Sequence, residues 1–399
     1  MNPQIEQLHQ IGQQPSRTVI GLMSGTSLDG LDIACCEFAG SGEKTRFKLQ
    51  HFTSVAYSAG EQEMIRRVFA KADAPLSDVC LVHTWLGKLH GNMVKKAMDE
   101  WELKAGSVDL IASHGQTVFH APQRNHPLDQ FGNSTLQLGD GDQIASICGV
   151  ITVADFRQKH IAAGGEGAPL AVYGDFLLLN KPGVCRYLIN IGGISNFTRL
   201  PAHEKDKIFA TDAGPGNTLS DAVVRMHHPG MNCDLGGKLA LAGQVLPRLL
   251  GLMKDDPFFQ APVPKTTGPE LFSPAWLQAV LNRYTAATPS LNDLLATLSQ
   301  LVADAIFEAL VANGADAGAT YYLSGGGLYN EAITTRLRAK ARWLNDLDST
   351  AAIGLPPDAK EAALFAALAN EAIAGDFSKL ASRFGELPAV NFGKISLPC

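Results

Sequence analysis

Apolar residues in this chain gather in short runs closed by glycine, serine and asparagine, and in longer stretches where they recur at helical spacing. Residues 19–23 form one such run, Ser24-Gly25-Thr26-Ser27 interrupts it, and residues 33–38 resume it after Asp29-Gly30, which predicts strand, turn, strand. The design recurs at Tyr187-Leu-Ile-Asn-Ile-Gly-Gly-Ile-Ser-Asn-Phe-Thr-Arg-Leu200, about 170 residues on, and points to a duplicated architecture. Glycine admits an anion close to the backbone, and the hydroxyls and amides of such turns can donate to its oxygens. A hairpin whose glycines serve only turn geometry remains the alternative for either turn.

Between and after the hairpins, strands alternate with helices. Residues 61–70 and 77–104 carry apolar side chains at helical spacing, Trp85, Leu89 and Met93 among them. A buried strand is predicted at 108–112, a helix at 140–149 and a strand at 150–153. Pro169 suits the first turn of a helix running to about residue 179, and Lys181-Pro182-Gly183 breaks it. The second half reads as a strand at 208–211 and helices at 218–226, 235–253, 274–284 and 291–312. A strand at 320–323 and helices at 331–340 and 359–374 follow. The alternation predicts an α/β fold with mixed sheets, with domains at 1–180 and 181–375.

At 399 residues, 46% of them hydrophobic, the chain can bury two ordinary cores, and a mean hydropathy of +0.02 fits a globular protein. The 33 basic and 39 acidic residues are mixed along the chain. The net charge of −6 argues against a nucleic-acid surface or a polybasic membrane anchor. Seven cysteines without a Cys-x-x-Cys pair suggest neither a disulfide framework nor a zinc site. The Gln-rich first eighteen residues hold no apolar leader, so a cytoplasmic protein is expected.

Seven segments carry a resemblance. They are Gly21-Leu-Met-Ser-Gly-Thr-Ser-Leu-Asp-Gly30, Ser113-His-Gly-Gln-Thr117, Ala154-Asp-Phe-Arg157, Ala162-Ala-Gly-Gly-Glu-Gly-Ala-Pro-Leu170, Asn190-Ile-Gly-Gly-Ile-Ser-Asn196, Asp212-Ala-Gly-Pro-Gly-Asn217 and Ser324-Gly-Gly-Gly327. Together and in this order they resemble the anhydro-N-acetylmuramic acid kinase family, within the sugar-kinase, Hsp70 and actin superfamily. The resemblance implies two actin-like, ribonuclease H-like α/β domains flanking an ATP and sugar cleft, with residues 376–399 returning to the first domain. It also implies ATP and Mg²⁺ as cofactors, a small-molecule sugar substrate, and neither nucleic acid nor membrane as partner. A homodimer is left open.

The same resemblance distributes roles. Asp212 is the implied general base, although a helix cap or Asx turn would also explain Asp-x-Gly. Glu361 joins it as a catalytic candidate. Ser24, Gly25, Thr26, Ser27, Asp29, Gly30 and Asp32 of the first hairpin, and Gly192, Gly193 and Asn196 of the second, are implied at the phosphates. Gly325, Gly326 and Gly327 are implied at the adenosine. Asp29 and Asp32 could reach Mg²⁺ through water, and no dedicated protein metal site is expected. Thr117, Asp155, Arg157, Gly214 and Asn217 are the sugar candidates, with Arg157 suited to a lactyl carboxylate through two parallel hydrogen bonds. His114 ranks behind them, as a lone histidine is more often structural. His160, and Leu235-Gly236-Gly237, depart from the charged residues usual in relatives. No Gly-x-x-x-x-Gly-Lys-Ser/Thr sequence occurs, which removes a P-loop reading. An ordinary amino-sugar kinase, or a non-catalytic actin-like ATP-binding protein, stays open beside the family reading.

Overall fold

Strand β1 (Ser16–Ser24) turns back on β2 (Gly30–Ala39) in antiparallel register from Ser16 opposite Ala39 to Ser24 opposite Leu31. β2 continues antiparallel into β3 (Arg46–Ala56). On its other side β1 pairs parallel with β4 (Leu110–Ala121), whose far half pairs antiparallel with β5 (Ser134–Leu138). β6 (Thr152–Ala154) lies parallel to β4, and the short strand Lys394–Ser396 closes that edge antiparallel to β6. This computed structural model describes residues 2–126, 128–203, 205–268 and 270–399.

The chain forms two units, Met1–Asn180 with Asp358–Cys399, and Lys181–Pro357. The second unit repeats the plan of the first. β7 (Arg186–Ile191), β8 (Ile194–Leu200) and β9 (Phe209–Pro215) form an antiparallel meander. β10 (Thr320–Ser324) and β11 (Asp348–Ser349) add parallel strands beyond β7, giving the order β11-β10-β7-β8-β9. A three-strand meander extended by parallel strands past its first strand is the ribonuclease H-like arrangement. It occurs twice here, each time with one of the two glycine hairpins joining the first two strands, so the α/β class with mixed sheets stands.

Packing explains which helices cover each sheet. The helix Leu76–Glu100 buries Val82, Leu86, Val94, Ala97 and Met98 over the first sheet, beside Ile144 of Gly141–Cys148. On the same unit's sheet, Lys360–Ala374 lies against β1 and β2 through Ala362, Ala363, Ala366 and Ala367, all fully buried. The approach is close enough that a Cβ on Gly21 would stand 1.9 Å from the Ala362 carbonyl oxygen. In the second unit, Leu291–Ala312 is the central helix, and Val302, Ile306 and Leu310 reach Ile189, Tyr321 and Leu323. It is long and apolar enough to cross a membrane by length and composition, yet most of it is buried in this unit's core.

Several expectations need correction. The second domain was expected to end at 375; the second unit ends at Pro357, because the Ala-rich helix 360–374 packs on the first sheet. The helix expected over 235–253 is broken into Leu235–Gly237, Lys238–Leu241 and Pro247–Lys254, with Gly236 and Gly237 both at φ 72°. Pro169 does not open its helix. It follows a cis peptide bond, and the helix begins at Ala171. The polar N-terminal segment forms the helix Pro3–Gln13, capped by Asn2, with Ile11 buried.

Candidate functional site

In the first unit the β1–β2 turn is held from below. A bulge between Leu22 and Ser24 sets Ser24 opposite Gln116 of β4. Ser24 is buried, and its Oγ lies 2.6 Å from Gln116 Oε1 and 2.8 Å from the Tyr57 hydroxyl. Expected at the phosphate, Ser24 instead spends its hydroxyl inside the unit. Thr26, Ser27 and Asp29 are exposed and Gly25 is partly so, leaving these as the turn's outward groups. Gly30 is the first paired residue of β2, opposite Ala56, so sheet pairing accounts for it. Leu28 adopts φ 57° with its side chain in the core, a backbone conformation costly for a bulky residue and of a kind that concentrates at functional sites. Asp32 is hydrogen-bonded by Ser54, and its pKa is raised by burial, against that bond, and further by the charges of Asp29 and Asp358.

The sugar candidates of this unit gather at the ends of β4 and β6. Arg157 lies in the first turn of Phe156–Ala162. Its Nε donates to His114 Nε2 at 2.9 Å and one Nη donates to the Gly167 carbonyl at 2.7 Å. His114 is buried, and its Nδ1–H can only donate to the Gly115 carbonyl, 2.8 Å away, so Nε2 must be the bare nitrogen that receives Arg157. Burial, then the Arg157 charge, hold His114 well below its ordinary pKa, so the ring stays neutral and the pairing persists. Burial also lowers Arg157, to about 10, with Glu361 opposing. Nε and one hydrogen of Nη1 are thereby engaged, and Nη2 with the second Nη1 hydrogen is what remains for a carboxylate.

Glu361 sits in the first turn of Lys360–Ala374, where the helix dipole favours an anion. Its residue surface is exposed, yet the protein around its carboxyl raises its pKa, an effect that Lys360 and Arg157 oppose and Asp32 and Asp175 reinforce. Next to it Lys360 forms a buried ion pair with Asp175 at 2.9 Å. Asp155, at φ 55°, is engaged by Lys394 of the C-terminal strand, and Thr117 Oγ1 accepts from Gln137 at 3.2 Å. These two sugar candidates are thus tied into the fold of their own unit. His160 is structural: its Nδ1 accepts the Gly167 amide at 2.9 Å between Tyr173 and Phe392, and burial lowers it to about 4.

The second unit carries the other constellation. Its β7–β8 turn, Gly192–Gly193, is overlaid by the segment entering Thr218–His227. Gly216 N–H donates to the Gly193 carbonyl at 2.9 Å, and Asn217 N–H donates to that of Gly192 at 2.8 Å. Asn217 Nδ2 adds a bond to Ile191 O at 3.3 Å, and Thr218 Oγ1 one to Gly193 O at 3.0 Å. Asp212 does not close a strand at a turn, as the sequence suggested; β9 continues through it to Pro215, opposite Asn196 of β8. Its amide donates to Lys265 O at 2.9 Å, and its Oδ2 accepts from the Thr267 amide at 2.8 Å. Gly214 O accepts from Ser195 Oγ at 3.1 Å. Gly325, at φ 79°, could carry no side chain, because a Cβ would stand 2.6 Å from Asn190 Oδ1 and 2.7 Å from Ile191 O. Gly327 is likewise pressed on Ile191, which leaves Gly326, with Asn217 Nδ2 at 3.6 Å from its Cβ position, as the more open member of the trio.

Sequence reasoning passed over Tyr57, His90, Gln116, Lys265 and Thr267. Gln116 lies within Ser113-His-Gly-Gln-Thr117 and was a usable signal; the others meet the site only through the fold. Residues 17–397 match the family model for anhydro-N-acetylmuramic acid kinase. The anhydro-N-acetylmuramic acid kinase of Pseudoalteromonas translucida (strain TAC 125) is 43% identical over 398 residues, 99% of either chain. That of Pseudoalteromonas atlantica is 42% identical over 403 residues, covering both chains fully. The enzyme of that name from Caldanaerobacter subterraneus subsp. tengcongensis is 35% identical over 404 residues, 98% of this chain and 100% of its own. A solved activator of the 2-hydroxyisocaproyl-CoA dehydratase from Clostridium difficile superposes with a TM-score of 0.41 at 11% identity, over 89% of this chain and 95% of that one, a likeness too distant to carry weight. By its full-length match to these relatives, the chain belongs to the anhydro-N-acetylmuramic acid kinase family, sugar kinases of peptidoglycan recycling.

Proposed function

We propose that this kinase opens the 1,6-anhydro bridge of 1,6-anhydro-N-acetylmuramic acid with water while phosphorylating O6 from ATP, giving N-acetylmuramic acid 6-phosphate and ADP. The observation that carries the assignment of the base is Asp212: a carboxylate set within a strand, with Oδ2 anchored by the Thr267 amide at 2.8 Å. The Thr267 amide fixes the orientation of that carboxylate within its strand.

In the proposed reaction Asp212 takes a proton from water as the water oxygen bonds to C1. The C1–O6 bond breaks and its electron pair goes to O6. That oxygen bonds to the γ-phosphorus, and the bond from phosphorus to the β-bridging oxygen breaks with its pair leaving on ADP. Arg157, aimed by His114 and the Gly167 carbonyl, meets the lactyl carboxylate with its Nη pair. Glu361 stands as the second acid–base group. Gly25, Thr26 and Ser27 of the first hairpin, and Gly192, Gly193 and Asn196 of the second, are the phosphate donors, and Gly326 with its flanking glycines takes the adenosine. Gly214 and Asn217 serve the sugar alongside Thr117 and Asp155.

The donor set fits Mg²⁺. Asp29 and Asp32 offer hard oxygens; burial chiefly, and then the charges of Asp29 and Asp358, raise Asp32, and a cation would relieve the like charge. Mg²⁺, when bound, supplies charge neutralisation at the β- and γ-phosphates. Incubation with ATP, Mg²⁺ and the anhydro sugar, followed by mass analysis, tests the reading. A product heavier by phosphate and water supports it, and gain of phosphate alone would make the protein an ordinary amino-sugar kinase.

A further inference from the structure

Four buried polar side chains run in series beneath the β1–β2 turn: His90, Tyr57, Ser24 and Gln116, each no more than 4% exposed. His90 Nε2 lies 2.7 Å from the Tyr57 hydroxyl, that hydroxyl 2.8 Å from Ser24 Oγ, and Ser24 Oγ 2.6 Å from Gln116 Oε1. Gln116 Nε2 then reaches the carbonyls of Gly25 and Thr117, both at 3.2 Å.

One proton arrangement satisfies the series. Both partners of Gln116 Nε2 are carbonyls, so its two N–H groups donate and its Oε1 must accept. Ser24 therefore donates to Gln116 and must accept from Tyr57, which in turn must accept from His90 Nε2–H. The remaining His90 nitrogen, Nδ1, has no hydrogen-bond partner among the described residues. In this arrangement it is a bare lone pair rather than a stranded N–H, and burial keeps the ring in that neutral form. All donors thus point one way, from the helix Leu76–Glu100 to the turn.

The end of the series is the Gly25 carbonyl, which also accepts from Leu28 N–H at 3.4 Å, at the residue held in the left-handed conformation. Gly25 is fixed on one side by this relay and on the other by a strained residue whose side chain is sunk in the core. We propose that His90, Tyr57, Ser24 and Gln116 are positioning residues that preset the amides and hydroxyls of Gly25, Thr26 and Ser27 for the phosphates of ATP. The inference rests on the assignment of this turn to phosphate made above.

The test compares the affinity for a non-hydrolysable ATP analogue, by calorimetry, with the KM for sugar and the unfolding midpoint. Tyr57→Phe keeps the ring and cuts the series. It should weaken the analogue about fivefold or more, the scale of one lost hydrogen bond, and leave the KM for sugar within about twofold. Gln116→Met should weaken it at least as much, and the Tyr57→Phe/Gln116→Met pair should be no weaker than Gln116→Met alone, because a series already cut cannot be cut again. Ser24→Ala breaks the same series and reads the same way where Tyr57→Phe does not fold. A lowered unfolding midpoint with unchanged analogue affinity, or additive losses in the pair, overturns the proposal. Gly25→Ala separates the two claims: the fold tolerates its methyl, whose nearest neighbour is Ser27 Oγ at 3.7 Å, whereas a phosphate approaching that backbone would not. Weakening by Gly25→Ala but not by Tyr57→Phe removes the relay and keeps the phosphate turn; no effect from either removes both.

Discussion

Replacing Asp212 by asparagine removes its basicity. The side chain keeps its shape, and an amide oxygen can accept from Thr267 N–H, at 2.8 Å, as Oδ2 does. At that bond the cost to folding is the difference between a charged and a neutral acceptor, about 1 kcal/mol. Chemistry is affected far more. Loss of a general base costs about a hundredfold to ten-thousandfold in rate, or about 3–5 kcal/mol in the barrier. Asp212→Asn should thus bind the ATP analogue as the parent does and unfold close to it. Its kcat, followed through ADP release with the anhydro sugar, should fall at least about a hundredfold. Asp212→Ala strands the Thr267 amide and should lose stability as well as rate, so the pair separates anchoring from catalysis. A folded Asp212→Asn enzyme within about tenfold of the parent kcat would remove Asp212 as the base.

Other outcomes follow from the same geometry. Arg157→Lys should raise the KM for sugar well above any change in the KM for ATP, since one ammonium replaces neither the hold on His114 and Gly167 nor the two Nη donors, and a rise in the ATP KM alone would refute the assignment. His160, buried neutral, has its folded pKa at about 4 against 6.5 for the free group. Below pH 6.5 the unfolded chain takes up a proton that the folded one refuses, so stability should fall between pH 6.5 and 4 by up to about 3 kcal/mol from this group; denaturant melts of His160→Gln should show a shallower fall. Gly325→Ala forces a Cβ against Asn190 and Ile191 at φ 79°, and a chemical melt should show a loss of about 1–3 kcal/mol.

Much of the fold was legible because local pattern and tertiary role agree. The two hairpins pair apolar strands with glycine turns, and Leu291–Ala312 carries its apolar residues at helical spacing. Strand β3 escaped notice because it is a half-exposed edge whose Arg46, Lys48, Gln50 and His51 dilute the alternation. The helix Pro3–Gln13 escaped because Ile11 is its one buried residue. Helical spacing across 235–253 misled, since Gly236 and Gly237 break the backbone there. At the site, the glycine turns and Arg157 could be named from residue types. The inward aim of Ser24 could not, because a bulge against β4 decides it. Nor could the meeting of Tyr57 with His90, or of Asp212 with Thr267, which rests on contacts between residues distant in sequence.

The central claim is that water enters the sugar in the same event that phosphorylates it. Single-turnover reaction with ATP, Mg²⁺ and 1,6-anhydro-N-acetylmuramic acid in ¹⁸O-water, quenched before the new reducing end exchanges with solvent, tests it most directly. The account predicts one heavy oxygen on C1 of N-acetylmuramic acid 6-phosphate and none in its phosphate. A phosphorylated product without the label at C1, or with the label in the phosphate, would contradict it.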